Sequence, residues 1–200
     1  IQAQVAQLTA DRNDRQHALS QVLAGADRAS RVLEQLLRLA RLDPLASLPN
    51  PGEIDLAELA RRVIAETNRG LDTRTIRLKT GDSPLLVSGD AELLEIVLRN
   101  LIDNALRYTP PDSTITVFAR RQNGELSLGV ADDGPGVALE ELPRLVERFY
   151  RGREASAEGS GLGLAIAQRI AELHGARFEV ENLSRGGFEA RLRWCRSPVV

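Results

Sequence analysis

Two carboxamides four residues apart, Asn100 and Asn104, stand just ahead of Arg107 and Tyr108 in the stretch Leu98-Arg-Asn-Leu-Ile-Asp-Asn-Ala-Leu-Arg-Tyr-Thr109. At 3.6 residues per turn, Asn100, Asn104 and Arg107 fall in one narrow arc of a helix, and Leu94, Leu98, Leu101, Ile102 and Ala105 fill the opposite side. Amide oxygens and a guanidinium on one stripe suit a surface that holds a metal ion and phosphates. An ordinary solvated helix face carries the same residue types.

Two glycine clusters follow. Asp132-Asp-Gly134-Pro-Gly136, with Val137 next, comes directly after an expected strand. Glycine lets the backbone approach a ligand or turn through positive φ, and a carboxylate at a strand end can accept a hydrogen bond from an exocyclic amine such as that of adenine. The same residues also make an ordinary acidic turn. Gly159-Ser160-Gly161-Leu162-Gly163-Leu164 opens a helix, whose free N–H groups can bind phosphate. It lacks the Gly-Lys-Ser/Thr ending of a P-loop, and it follows a polar loop rather than the first strand of a dinucleotide fold. Between the clusters, Val137 to Glu158 holds Arg148, Phe149, Tyr150, Arg151 and Arg153. This is either a lid, anchored by its aromatics and reaching phosphate with an arginine, or an exposed loop containing a short helix.

The scaffold that must position these groups is a chain of 200 residues, 42% hydrophobic and 27% charged, enough for one or two domains with a packed core. Its net charge of −2, with both signs interspersed, argues against a dedicated nucleic-acid surface. The single cysteine, Cys195, excludes an intrachain disulfide and a thiolate metal cluster, which fits a reducing compartment. No apolar run approaches the roughly 20 residues of a membrane helix, and no secretory signal is visible. Ile1, Val5 and Leu8 already carry a helical period, so the first residue is read as falling inside a helix.

Residues 1–44 read as a helical hairpin. A polar break at Asp11-Arg-Asn-Asp14 precedes a stripe of Leu19, Val22, Ala26, Ala29, Leu33, Leu36 and Ala40 that Pro44 stops. A second copy of the hairpin is expected to complete a four-helix dimer; packing against its own globular domain is the alternative. Residues 45–54 read as a linker and 55–200 as a second domain. There, Asp55 caps a helix running to about Asn68, Thr75–Thr80 and Pro84–Val87 are strands, and Asp90 caps the helix bearing the amides. Thr114–Arg120 and Glu125–Val130 form a hairpin across Gln122-Asn-Gly124. Leu164–His174 is helical, and Phe178–Val180 pairs with Phe188–Trp194 across Ser184-Arg-Gly-Gly187. The expected class is α+β: a helical hairpin, then an α/β sandwich with helices on one face of a mixed sheet.

In their order, these pieces resemble the ATP-binding core of a bacterial sensor histidine kinase. Asn100-Leu-Ile-Asp-Asn104-Ala-Leu-Arg107-Tyr108 resembles the family's N box, Asp132–Gly136 its G1 box, Glu147-Arg-Phe-Tyr-Arg151 its F box, and Gly159–Leu164 its G2 box. Asp27–Pro44 is similar to the second helix of the family's dimerisation and phosphotransfer domain, and Gly186–Trp194 looks most like the QseC and PmrB group. The resemblance implies the sandwich of the histidine kinase, gyrase and Hsp90 ATPases. It also implies ATP and Mg²⁺ as ligands, a homodimer through the hairpin, and phosphorylation of a histidine for relay to a response-regulator aspartate. It places the chain on the cytoplasmic side of a bacterial inner membrane, with any anchor in other segments.

Carried over residue by residue, the resemblance makes Asn104 the Mg²⁺ ligand, supported by Asn100, and Asp132 the partner of the adenine amine. Gly134, Gly136, Val137, Phe149, Gly159, Ser160, Gly161, Leu162, Gly163, Leu164 and Tyr108 line the nucleotide, while Arg107 and Arg151 neutralise γ-phosphate charge. The family's His-Glu-Leu-Arg-Thr-Pro-like acceptor stretch is absent. Only His17 and His174 occur, each read as an exposed histidine or a helix-end cation, and neither is assigned as the acceptor. The chain is therefore expected to bind ATP without the histidine that it phosphorylates. The related ATPases carry a water-activating glutamate near the position of Asn100, and an amide is no general base at neutral pH. Glu95 and Asp103 are the carboxylates nearby. A stand-alone ATPase and a dimeric regulator-binding module without kinase activity are the competing functions.

Overall fold

Short polar caps decide where the helices begin. Asp55 Oδ1 accepts the Ala57 N–H at 2.8 Å and starts α1 (Leu56–Thr67). Asp90, with extended φ, accepts the Leu93 N–H at 3.1 Å and starts α2 (Ala91–Tyr108). Thr109 closes α2: its N–H and its hydroxyl both donate to Ala105 O, at 3.1 and 2.7 Å, and Pro110 bars continuation. The third helix, α3, spans Gly163–Leu173. This computed structural model describes residues 48–67, 76–81, 84–152 and 160–195, which lie within one unit, Leu42–Val200. The expected hairpin over 1–44, His17, and lid residues 153–159 with Gly159 lie outside the described residues.

The strands are β1 (Gly52–Asp55), β2 (Ile76–Thr80), β3 (Leu86–Gly89), β4 (Ile115–Gln122), β5 (Glu125–Asp132), β6 (Arg177–Asn182) and β7 (Phe188–Trp194). The main sheet runs β2-β4-β5-β7-β6, with β2 parallel to β4 and the other pairs antiparallel. It is therefore the expected mixed sheet. Asn123 and Gly124, with φ of 53 and 80°, make the two-residue turn of β4–β5, the twist-matched form that Asn-Gly favours. β1 and β3 form a separate antiparallel pair, Ile54 opposite Val87. Gly52–Asp55 is thus a strand where a linker to residue 54 was expected. One buried apolar residue, Ile54, is too short a pattern to signal it.

Alternation puts Ile115, Val117, Ala119, Leu126, Leu128, Val130, Ala190, Leu192 and Trp194 on one face, all buried, under the three helices. The other face carries charge in register. Phe118, Gly129 and Arg191 stand side by side across β4, β5 and β7, and Gly129 leaves the room that the Phe118 ring and the Arg191 side chain take. Arg191 pairs with Glu179, Glu181 and Glu189, and Arg120 pairs with Glu189 at 2.9 Å while lying over the Phe118 ring. Burial pulls the Arg191 guanidinium down, but the three glutamates outweigh it and hold it above its ordinary value. Among the described residues no helix is long and apolar enough to cross a membrane.

His174 ends α3 but is neither exposed nor a helix-end cation. It is 6% exposed, its Nδ1 meets Ile170 O at 2.8 Å, and its Nε2 faces the Asp90 N–H at 3.0 Å. The amide can only donate, so Nε2 accepts and the ring is neutral. Gly89 makes the room, since a Cβ there would meet the ring at 2.5 Å. Burial pushes the imidazole below its ordinary 6.5, against the raising influence of Ile170 and Asp90. A lowered histidine pKa means that the unfolded chain binds the extra proton. Stability conferred by the neutral ring is present above pH 6.5 and is lost as pH falls from there through the lowered folded value. The urea midpoint is expected to drop between pH 7 and 5, with a slope of at most about 1.4 kcal/mol per pH unit from this group, and His174→Gln flattens that dependence. An identical pH profile in the variant removes His174 from this role.

Candidate nucleotide-binding site

Helices α2 and α3 run antiparallel. His174 meets Asp90 at one end of the pair, and Asn100 meets Gly163 at the other, its Nδ2 3.5 Å from Gly163 O. A Cβ on Gly163 would lie 3.8 Å from the Asn100 Cβ. The first turn of α3 therefore faces the amide stripe of α2, where Asn100 and Asn104 are half-buried. Leu162 precedes this turn without a side-chain cap, and Ser160 Oγ accepts the Leu162 N–H at 3.3 Å. Intrahelical bonding starts with Ile166 N–H to Leu162 O, so the N–H groups of Gly163, Leu164 and Ala165 remain for an anion. Leu162 itself is fully buried, with its N–H on Ser160 and its carbonyl on Ile166, so it anchors the turn from within.

Asp132 ends β5 and its carboxylate accepts the Gly134 N–H at 3.0 Å, while the backbone amide of Phe188 also favours its ionised form. Burial pushes this carboxyl above its ordinary 3.8; the two amides pull it back and neighbouring Asp133 pushes it up again. Asp133 in turn accepts the Thr114 N–H at 2.8 Å. Gly134 lies against the end of α2, for a Cβ there would sit 2.8 Å from Thr109 Cγ2. Gly136, at φ +75°, and half-buried Val137 continue the loop.

The aromatic segment joins the second glycine cluster directly. Phe149 N–H donates to Gly161 O at 2.9 Å. Gly161 has φ +68°, and a Cβ on it would lie 2.7–2.9 Å from the backbone of Phe149 and Tyr150. Phe149 is held at φ +65° and is 58% exposed, while Arg144 stacks on Tyr150 at 4.2 Å. Arg151 is half-buried, Arg107 and Tyr108 are exposed at the end of α2, and Ser160 and Leu164 are half-buried.

Four stretches far apart in the chain are thus linked in pairs: Thr109 to Gly134, Asn100 to Gly163, and Phe149 to Gly161. Of the two nearby carboxylates, Glu95 pairs with Arg62 of α1 and with Arg99, and lies about 140° around the helix from Asn100. Asp103 is exposed. Sequence reasoning missed Thr109, whose side chain seats Gly134, and Asn182, whose side chain holds Val137. A threonine before Pro-Pro and an asparagine after a short strand carry no distinguishing signal.

The family of histidine kinase-, DNA gyrase B- and HSP90-like ATPases matches residues 89–198. Sensor protein QseC of Salmonella typhi is 43% identical over 97% of this chain and 43% of its own length. Sensor protein kinase PmrB of Pseudomonas aeruginosa is 40% identical over 86% of this chain and 36% of its own. The chain thus spans less than half the length of these curated relatives. Among solved structures, the cytoplasmic segment of histidine kinase QseC superposes with a TM-score of 0.60 at 33% identity, covering 85% of this chain and 94% of that one.

The two glycines before and within α3 should respond differently to a methyl group. Gly161→Ala combines positive φ with a backbone clash and is expected to cost about 2 kcal/mol in urea unfolding. Gly163→Ala has ordinary contact distances and is expected to stay within about 0.5 kcal/mol of the parent. Equal losses would contradict the packing of Gly161 on Phe149.

Proposed function

Because this chain belongs to the histidine kinase-, DNA gyrase B- and HSP90-like ATPase family, as a sensor histidine kinase core of the QseC and PmrB type, we propose that the α2–α3 junction binds Mg²⁺-ATP and delivers its γ-phosphoryl group to a histidine. The single observation that carries this reading is the contact of Asn100 with Gly163, which sets the amide stripe against an uncapped helix N-terminus. The N–H groups of Gly163 and Leu164, and the positive end of the α3 dipole, hold the triphosphate. The donor set fits Mg²⁺, which takes oxygen ligands and shares them between a few protein groups, phosphates and water. Asn104 ligates the ion through its amide oxygen and Asn100 supports it. Bound there, Mg²⁺ neutralises charge on the phosphates.

Asp132 accepts the adenine amine, its orientation already set by Gly134 and Phe188. Gly134, Gly136 and Val137 form the wall beside the base; Phe149, Tyr108, Ser160 and Gly161 form the lid side. Arg107 and Arg151 neutralise charge on the γ-phosphoryl group as its bond to the β-phosphate oxygen breaks and ADP leaves. The nucleophile is an imidazole nitrogen supplied by another segment, since His174 is buried against Asp90 and no His-Glu-Leu-Arg-Thr-Pro-like stretch occurs. Hydrolysis is disfavoured, because Glu95 is committed to Arg62 and Arg99 and an amide stands at Asn100. By kinship with sensor proteins, the phosphoryl group passes on to a response-regulator aspartate, the active form is a dimer through residues 1–44, and this portion works on the cytoplasmic side of a membrane.

Calorimetry with ATP, with and without Mg²⁺, tests the metal role: Asn104→Ala is expected to abolish the Mg²⁺-dependent gain in affinity, and an unchanged gain refutes it. Asp132→Asn is expected to separate binding from folding. The raised carboxyl pKa means that the protonated form favours the fold below 3.8, an advantage lost as pH rises through the folded value. At neutral pH the ionised group therefore costs stability. The variant should unfold at higher urea while binding ATP about ten- to a hundredfold more weakly, the loss of one charge-assisted bond. Phosphotransfer to a separately supplied hairpin bearing the acceptor histidine tests the reaction itself.

A further inference from the structure

We infer that Asn182 is a positioning residue for recognition of the base, setting the preference for a purine that carries an amine over one that carries a carbonyl. The inference rests on the reading of Asp132 above. Asn182 ends β6, and its side-chain amide grips one residue of the first glycine loop by both backbone atoms. Its Oδ1 accepts the Val137 N–H at 2.9 Å, and its Nδ2 donates to Val137 O at 2.6 Å. A planar carboxamide offers donor and acceptor on one edge, so Val137 is bonded much as a residue of a neighbouring strand would be. The loop closes onto this amide: Gly136 is at φ +75°, and a Cβ on it would meet Asn182 Oδ1 at 2.9 Å and Gly187 O at 3.2 Å.

The turn that Asn182 opens also holds Asp132. Gly187, at φ +102°, lies so close that a Cβ would fall 2.0 Å from Asp132 O. Phe188, the β7 partner of Asn182, turns its backbone amide toward the Asp132 carboxylate and favours its ionised form. The loop is thus fixed at both ends by one β6–β7 turn, at Asp132 through Phe188 and at Val137 through Asn182. Between these ends Gly134 rests on Thr109 at the end of α2, and Asp133 accepts the Thr114 N–H. An ionised carboxylate accepts from an amine and repels a carbonyl oxygen, so the fixed position of Asp132 relative to the wall at Val137 decides which base fits.

The test measures affinities of the full chain for Mg²⁺-ATP and Mg²⁺-ITP, together with inorganic tripolyphosphate. Asn182→Asp keeps the acceptor and loses the donor; Asn182→Ser is too short to bridge both atoms. Each is expected to lower the ATP-to-ITP affinity ratio about tenfold, to speed hydrogen exchange at the Val137 amide, and to leave tripolyphosphate binding unchanged. In an Asp132→Asn background, Asn182→Asp is expected to change the ratio no further. If either variant folds and keeps the parental ratio, the inference is overturned and Asn182 is structural only. If Asp132→Asn itself leaves the ratio unchanged, the reading of Asp132 fails instead. Should the aspartate variant not fold, the serine variant decides.

Discussion

Everything in this site depends on the antiparallel contact between α2 and α3. Both helices present an apolar face to the same sheet, so burial alone fixes their depth but not their sliding along each other. Two polar contacts at opposite ends remove that freedom. His174 receives the Asp90 amide at one end, and Asn100 approaches Gly163 at the other. The first also serves the cap of α2, because Asp90 has its carboxylate on the Leu93 and Asn50 amides and its own N–H on the imidazole. With the helices locked in register, the N-terminus of α3 can stand opposite two amides without any side chain capping it. An uncapped helix start is ordinarily a small loss of stability; under the proposed function, a phosphate takes up those N–H groups in place of a cap.

The glycines matter because they remove Cβ atoms at junctions, and at Gly161 and Gly187 also because the backbone turns through positive φ. Gly134 lets its loop rest on Thr109, Gly161 lets the aromatic segment rest on the turn before α3, and Gly187 lets the β6–β7 turn rest on Asp132. At each of these, a methyl group would push apart two stretches that belong to different motifs. Phe149 shows the same constraint from the other side. It is an exposed non-glycine residue held at positive φ, a cost of order 1 kcal/mol or more. That cost is borne by the Phe149–Gly161 bond and by the Arg144–Tyr150 stack nearby.

Most of the second domain was legible because its signals are local and strong. Asp90 before an eighteen-residue amphipathic run, Asn123-Gly124 between alternating strands, and Gly-Gly before Phe188 each specify one geometry at short range. The pairwise meeting of the motifs was anticipated only through family resemblance, since nothing in the spacing of Asn100 and Gly163 says that they touch. What escaped reading depends on partners distant in sequence. β1 exists because β3 offers it an edge. His174 is neutral because Gly89, eighty-five residues earlier, leaves a space for it. Asn182 has meaning only once Val137 is beside it, forty-five residues away.

The choice of amides over carboxylates along α2 follows from the same geometry. A carboxylate at Asn100 would sit well beside the positive end of α3, and would then compete with the phosphates for it. Under the proposed function, an amide would supply an oxygen to a cation without adding negative charge beside a triphosphate. Asp132, half-buried at the end of β5 and bonded by the Gly134 amide, stands at what the proposed function makes the base end, where its charge would meet an amine rather than phosphate. Burial makes that charge costly there, and the amides of Gly134 and Phe188 offset only part of the cost. A residue kept where it weakens the fold is best explained by what it does for a ligand. The nearby glutamate on α2, Glu95, shows the contrast: turned toward α1 and paired with Arg62 and Arg99, it serves packing between helices and lies away from the α3 terminus.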